Sequence, residues 1–231
     1  MTIYRLFDDP VFPDPAEADQ DGLLAIGGDL SPERLVAAYA GGIFPWYSEN
    51  SPILWWSPDP RLVLEPSRLH VPRSLRRVLH SGRFRFSLDA AFSRVIRACA
   101  RTPRPGQNGT WIVPEMITAY EDLHAMGLAH SAEVWNGASL AGGIYGVTLG
   151  SVFFGESMFF AEKDASKAAL VLLARWLGSR GCTLIDCQQT TAHMLRFGAR
   201  EISRPEFLRR VDLGLANPAL SGKWVFEGES G

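Results

Sequence analysis

The chain has 231 residues, 46% of them apolar and 21% charged. That composition is globular, and the length allows one large domain or one domain with a small companion. No apolar run reaches the ~18–20 residues of a membrane span, and the formal charge of −2 hides a strong segregation. Residues 8–33 carry eight acids, and residues 61–85 carry seven arginines against the single acid Glu65. A local cationic segment on a mildly anionic chain fits either a solvated face or a site for an anionic partner. The N-terminus is acidic and Pro-rich, without a basic segment leading into an apolar core, so no signal peptide is expected. Three cysteines, Cys99, Cys182 and Cys187, form no C-x-x-C pair. They suggest a reducing, cytoplasmic setting with no zinc site.

Along the chain, "GLLAIGGDLSPERLVAAYAGGIFPW" (residues 22–46) contains one short helix. Ser31 caps it, Pro32 takes its first position, and Leu35, Ala38 and Tyr39 form its apolar stripe before Gly41-Gly42 ends it. Residues 42–61 hold three tryptophans and four prolines. Such a stretch reads as aromatic-rich loops around short strands, because Pro cannot donate to a ladder. Within it, "WWSPDPR" fits a Pro-turn over packed Trp better than an aromatic wall for a base. From residue 61 the pattern becomes regular: a strand at Leu62–Glu65, then a helix at Arg73–His80. Leu75, Val78 and Leu79 share one face of that helix, and Arg73, Arg76, Arg77 and His80 share the other.

A helix over Asp89–Ala100 comes next, followed by a loop, "RTPRPGQNGTW". A second helix runs from Pro114 to Met126 and is closed by Gly127. Three strands are expected at Ala129–Trp135, Ser139–Val147 and Ser151–Phe160, the first two joined by the hairpin signal Asn136-Gly137. A long helix over Ser166–Ser179 leads to the strand "TLIDCQQT". A short helix at Ala192–Phe197, a strand near Arg200–Ile202 and a helix from Pro205 complete the chain. This order predicts an α/β sandwich on a mixed sheet, with a cleft where neighbouring strands part.

Two stretches place charge inside apolar strands. "FGESMFF" puts Glu156 there, and "LIDCQ" sets Asp186 and Gln188 on one face by alternation, with Cys187 on the other. Buried carboxylates are costly unless paired, so each is either a structural pair or a cleft group awaiting a ligand. On alternation Cys187 is a poor nucleophile, and nothing in the sequence places His193, a possible general base, near the others. No G-x-S-x-G, Walker loop, H-E-x-x-H or dinucleotide fingerprint is present.

"GLLAIGGDLSPERLVAAYAGGIFPW", "PILWWSPDPR", "GTWI", "AHSAEVW", "LAGGIYGV", "FFGESMFF", "DASKAAL", "LIDCQ" and "FGAREI" together resemble the bacterial leucyl/phenylalanyl-tRNA–protein transferases, from about residue 20 to 210. The resemblance implies an α+β chain with a small irregular N-terminal domain over residues 1–60. Residues 61–231 would form a GCN5-related N-acetyltransferase-like α/β domain with a mixed sheet. It implies transfer of Leu or Phe from Leu-tRNA or Phe-tRNA to the α-amine of proteins starting with Arg or Lys, creating an N-degron. No cofactor, metal or membrane partner is implied, and the chain is expected to be a monomer. Asp186 and Gln188 would be the catalytic pair, with Asp186 holding the Gln188 amide. Glu156 would line the same site and read a cation near the acceptor. Trp46 and Trp111 would border the aminoacyl-adenosine, and Arg73, Arg76 and Arg77 would bind tRNA. The donor side chain needs an apolar pocket between the sheet and the long helix. Candidates are Ile144, Phe153, Met158, Leu173, Leu177 and Ile185. Two rivals are an acyl-CoA-dependent N-acyltransferase, whose pyrophosphate loop is missing at "EKDASKAAL", and a non-catalytic RNA-binding module. Departures from the family pattern are His80-Ser81, where relatives often carry Lys or Arg, and "AHMLRFGA".

Overall fold

The computed structural model describes residues 3–103, 110–217, 220 and 222–225; part of the loop expected before Trp111 lies outside them. Among the described residues, eleven strands and seven α-helices are distinguished. The first five strands are β1 (Tyr4–Leu6), β2 (Leu23–Gly27), β3 (Phe44–Pro45), β4 (Leu54–Trp56) and β5 (Arg61–Leu64), with helix α1 (Pro32–Ala40) between β2 and β3. The middle of the chain holds α2 (Arg73–Leu79), β6 (Arg85–Leu88), α3 (Phe92–Arg101), α4 (Pro114–Ala125), β7 (Ala129–Asn136), β8 (Ser139–Leu149) and β9 (Val152–Phe160). It ends with α5 (Ala165–Ser179), β10 (Leu184–Asp186), α6 (Ala192–Leu195), β11 (Arg200–Ile202) and α7 (Arg204–Leu215).

The strands build two sheets. A four-stranded sheet has the order β1-β2-β4-β3, and a seven-stranded sheet has the order β11-β5-β10-β9-β8-β7-β6. The fold is therefore α+β, with a mixed large sheet, as expected. The Trp-rich stretch forms real ladders despite its prolines: Phe44 and Pro45 pair with Trp56 and Trp55. Trp55 is fully buried and its Nε1 donates to the Gly27 carbonyl at 2.9 Å. It is thus a packing residue. α1 begins as the sequence predicts, with Ser31 capping and Pro32 at its first position. Its Arg34 is buried, and donates to the carbonyls of Phe7, Asp8 and Asp9, which folds the acidic N-terminal segment against the helix.

Two apolar clusters cover the large sheet, and alternation assigns them to opposite faces. On β9, Val152 and Phe154 belong to one cluster and Phe153 to the other; on β10, Leu184 and Ile185 divide the same way. The first cluster includes side chains from α1, α3, α4 and α7, the second from α2 and α5. α1 and α4 lie against the first face, so the N-terminal segment shares its core with the large sheet.

The strands β1 and β2 were not anticipated, and two further elements differ from expectation. The strand β6 was not anticipated, although Phe84, Phe86 and Leu88 alternate. The helix expected from Asp89 starts three residues later, at Phe92. Asp89 has φ +49° and its buried carboxylate accepts from the backbone N–H groups of Ser131 and Trp224 and pairs with His130. Holding those partners takes it out of the helix. No helix among the described residues is long and apolar enough to cross a membrane.

The β8–β9 ladder shifts register at Tyr145/Gly146. A Cβ at Gly146 would sit 2.2 Å from the Phe154 carbonyl oxygen and 2.5 Å from Phe153 Cζ. The exposed hairpin glycine Gly137 would meet nothing within 4 Å. Gly146→Ala is therefore expected to cost more than about 2 kcal/mol in urea unfolding, by overpacking against backbone. Gly137→Ala, at φ +57°, is expected to cost about 1 kcal/mol through backbone strain alone. Equal costs would disprove the close-approach account.

Candidate active site

β9 and β10 run parallel and pair only briefly. Their ladder joins Leu184 to Val152, Ile185 to Phe153 and Asp186 to Phe154. β10 then stops while β9 continues to Phe160. Where the two part, a cavity of about 360 Å³ opens. Its lining draws on both faces of the sheet. Phe44, Trp46, Trp111, Glu156 and Gln188 bound one part; Ile144, Met158, Leu170, Ile185 and Met194 bound the other.

Asp186 ends β10 fully buried. Its carboxylate accepts two hydrogen bonds from Arg61, Nε to Oδ1 at 2.9 Å and Nη2 to Oδ2 at 2.7 Å. Arg61 is also fully buried, with the rings of Phe44 and Phe207 4.7 Å and 4.5 Å from its guanidinium carbon. Two planar groups meeting edge-on is the geometry that makes Arg–carboxylate pairs strong. Removing one partner of such a pair costs about 3–5 kcal/mol, because the other charge stays buried.

The same Asp186 Oδ1 also accepts the backbone N–H of Gln188 at 2.8 Å. Gln188 lies beyond the strand at φ +60°. That left-handed conformation is unfavourable for a residue with a side chain. It is held from several sides: Asp186 takes the Gln188 N–H, the Gln188 carbonyl accepts from Leu62 N–H, and Cys187 N–H donates to Leu62 O. Simple alternation therefore fails here, because the strand ends one residue before Cys187. Both Cys187 and Gln188 border the cavity. Burial, with Asp186 nearby, pushes the Cys187 thiol far above its ordinary range, so it offers no thiolate.

The Gln188 side chain is oriented by Glu156 and not, as expected, by Asp186. Its Nε2 donates to Glu156 Oε1 at 2.8 Å. Glu156 also accepts from Tyr39 Oη at 2.8 Å and from Tyr120 Oη at 3.1 Å, and the two tyrosine oxygens lie against each other. Three donors, Tyr39, Tyr120 and Gln188, thus surround the Glu156 carboxylate. Burial raises its pKa from 4.5 to about 7, opposed by the hydrogen bonds from Tyr39, Tyr120 and Gln188 and aided by the charge of Asp186. The tyrosine hydroxyls are held well above their usual range by burial and by Glu156.

Of the other sequence-based candidates, Trp46, Trp111, Ile144, Met158 and Ile185 line the cavity. Phe153, Leu173 and Leu177 do not; they are buried in the core of the second face. On α5 only the first turns reach the cleft, so Leu170 takes the place expected of Leu173 and Leu177. His193, which the sequence could not place, also borders the cavity. Arg73, Arg76 and Arg77 lie exposed on α2, away from the cavity lining, with Arg76 Nε donating to the Val71 carbonyl. Sequence reasoning missed Arg61, Tyr39, Tyr120 and Met194. Arg61 was hidden in the basic segment and Tyr39 in an apolar stripe. No local signal tied either to residues more than a hundred positions away.

A family model described as leucyl/phenylalanyl-tRNA protein transferase matches residues 63–212, and the model of that family's N-terminal domain matches residues 28–59. The chain belongs to this family. The leucyl/phenylalanyl-tRNA–protein transferase of Anaeromyxobacter dehalogenans is 61% identical over 227 residues, covering 98% of this chain and 97% of that one. The transferase of Oleidesulfovibrio alaskensis is 60% identical over 229 residues, covering 97% and 92%. Among solved structures, a GCN5-related N-acetyltransferase from Kribbella flavida matches with TM-score 0.41 and 11% identity, covering 74% of this chain and 61% of that one. So loose a superposition says nothing about the reaction.

The raised pKa of Glu156 has a definite consequence for stability. The folded state holds the proton more tightly than the unfolded state, so Glu156's contribution is fully present below about pH 4.5 and is lost as pH rises through about 7. Glu156→Gln should remove that loss. The stability of the native protein minus that of the variant is then expected to fall on the order of 3 kcal/mol between pH 4.5 and 8. Parallel stability curves in urea titrations across this range would disprove it.

Proposed function

We propose that this chain transfers a leucyl or phenylalanyl group from its tRNA ester to the α-amine of an acceptor protein. The observation that carries the reading is the Glu156–Gln188 hydrogen bond at the polar edge of the cavity. With the Gln188 amino group committed to Glu156, its carbonyl oxygen is left to accept an N–H from an attacking amine. The amine nitrogen attacks the ester carbonyl carbon, and the bond from that carbon to the ribose oxygen breaks. The amine gives up one proton and the ribose oxygen gains one.

Little acid–base power is needed. The ester is already activated, and an α-amine with a reference pKa of about 8 is partly neutral at pH 7. Holding amine and ester at near-attack distance supplies much of the acceleration. In this account Gln188 touches the reacting nitrogen, while Asp186 and Glu156 are positioning residues. Asp186 fixes the Gln188 backbone, and Glu156 fixes its side chain.

Ile144, Met158, Leu170, Ile185 and Met194 would receive the donor side chain. Apolar burial stabilises Leu and Phe by about 0.8 kcal/mol per CH₂ and separates near-isosteres poorly, so Met is a weaker donor. Trp46 and Trp111 would border the terminal adenosine of the tRNA. Arg73, Arg76 and Arg77 would hold its phosphates without reading sequence. Acceptors are proteins beginning with Arg or Lys, the product is an N-degron, and the enzyme works as a cytoplasmic monomer.

Labelling of an Arg-starting peptide from radiolabelled Phe-tRNA tests the reaction, with labelled acetyl-CoA as the competing donor. Labelling from acetyl-CoA alone would overturn it. Gln188→Ala is expected to cut transfer about a hundredfold while tRNA affinity stays within about twofold; equal losses in both would remove Gln188 from the chemistry. Arg73→Ala with Arg77→Ala should weaken tRNA binding and reduce its salt slope by roughly two, and an unchanged slope would place the tRNA elsewhere.

A further inference from the structure

His193 takes no part in the Arg61, Asp186, Gln188 and Glu156 chain, yet it borders the same cavity. Its Nε2 is buried and has no hydrogen-bond partner among the described residues. A buried polar nitrogen without a partner is costly, and such an atom in a cavity wall points to a ligand that completes it. Its location narrows the choice. Met194, next along α6, belongs to the second face of the sheet with Leu170 and Ile185, which bound the apolar part of the cavity. Glu156 bonds to Tyr39 and Tyr120, on the first face. His193 is thus a polar group on the apolar side.

An aminoacyl donor whose side chain fills that side carries its own α-amine one bond from the carbon that bears the side chain. This amine is distinct from the one that attacks. It needs an acceptor at the rim of the apolar part, and Gln188 is already assigned to the attacking amine. We propose that His193 Nε2 accepts a hydrogen bond from the donor's own α-amine, so that the site requires an α-aminoacyl ester rather than any acyl ester. The assignment rests on the transferase reading above. It needs the imidazole proton on Nδ1. Burial, with the charges of Lys167 and Arg196, holds the His193 pKa below its ordinary 6.5, so the ring is neutral at pH 7 and able to accept. The Phe197 ring, 5.2 Å away between centroids, packs beside the imidazole.

The test compares two donors on the full-length enzyme: Phe-tRNA and 3-phenylpropionyl-tRNA, which keeps the side chain and ester but lacks the amine. The readout is kcat/KM for labelling an Arg-starting peptide. The native enzyme is expected to prefer Phe-tRNA. His193→Ala should lower kcat/KM about tenfold for Phe-tRNA and leave the desamino donor unchanged, collapsing the preference. His193→Gln, whose side-chain oxygen can accept, should restore part of it. The ratio of the two donors within one variant does not depend on how much of that variant is folded, so partial misfolding does not obscure the result. Equal losses with both donors, or a preference that survives His193→Ala, would overturn the assignment. Failure of the native enzyme to use either donor would instead overturn the transferase reading on which it rests.

Discussion

The buried pair of Arg61 and Asp186 is the constraint on which the site depends. Two full charges lie where water does not reach, and neither tolerates loss of the other. Their bidentate contact joins the first residue of β5 to the last residue of β10, neighbouring antiparallel strands of the large sheet. It therefore decides where β10 ends. Since Asp186 also takes the Gln188 N–H, the pair decides the backbone conformation of the next two residues as well. A neutral amide in place of the carboxylate would keep an acceptor for Gln188 but lose the charge that balances Arg61. The Arg61 contact thus gives the Asp186 carboxylate a structural part of its own.

A second chain of contacts meets the first at Gln188. Tyr39 comes from α1 and Tyr120 from α4, and both donate to Glu156 on β9. The N-terminal helix is thereby wired to the large sheet through a carboxylate that the sheet alone could not satisfy. Burying Glu156 is unfavourable, as its raised pKa records, and three donors offset the cost. The result is a glutamine whose backbone is set from β5 and β10 and whose side chain is set from α1, α4 and β9. Such over-determination suits a group that works by orientation, because a residue free to rotate would lose the alignment a near-attack geometry requires.

Much of this fold was legible because its signals are local. The Asn136-Gly137 hairpin, the Pro114 helix start, the long α5 and the strand at Arg200–Ile202 all followed from turn chemistry and period. The N-terminal sheet was harder, since two- and three-residue strands interrupted by proline carry almost no periodicity. In the site, the polar residues themselves were readable as charges inside apolar strands. Their partners were not. Alternation also paired Asp186 with Gln188 on one face, which a strand ending at Asp186 does not allow. The donor-pocket candidates divided for a similar reason: a helical stripe names the buried face of α5 but not the turn at which that face meets the cleft. Leu170 and Leu173 are indistinguishable by period and differ only in where the sheet opens.

That opening explains how one cavity can combine two environments. A continuous sheet separates its faces, and a ligand on one face would meet either the tyrosine–glutamate network or the α5 core. Because β10 stops at Asp186 while β9 continues, the gap between them lets one ligand touch both. In the proposed reaction an apolar side chain would be buried against α5 while its ester group stays beside Gln188. The short β10 is therefore as much a part of the site as the residues that line it. Extending its ladder by two pairs would draw Cys187 and Gln188 into the sheet and close the passage. The Arg61–Asp186 contact and the left-handed turn at Gln188 work against that extension.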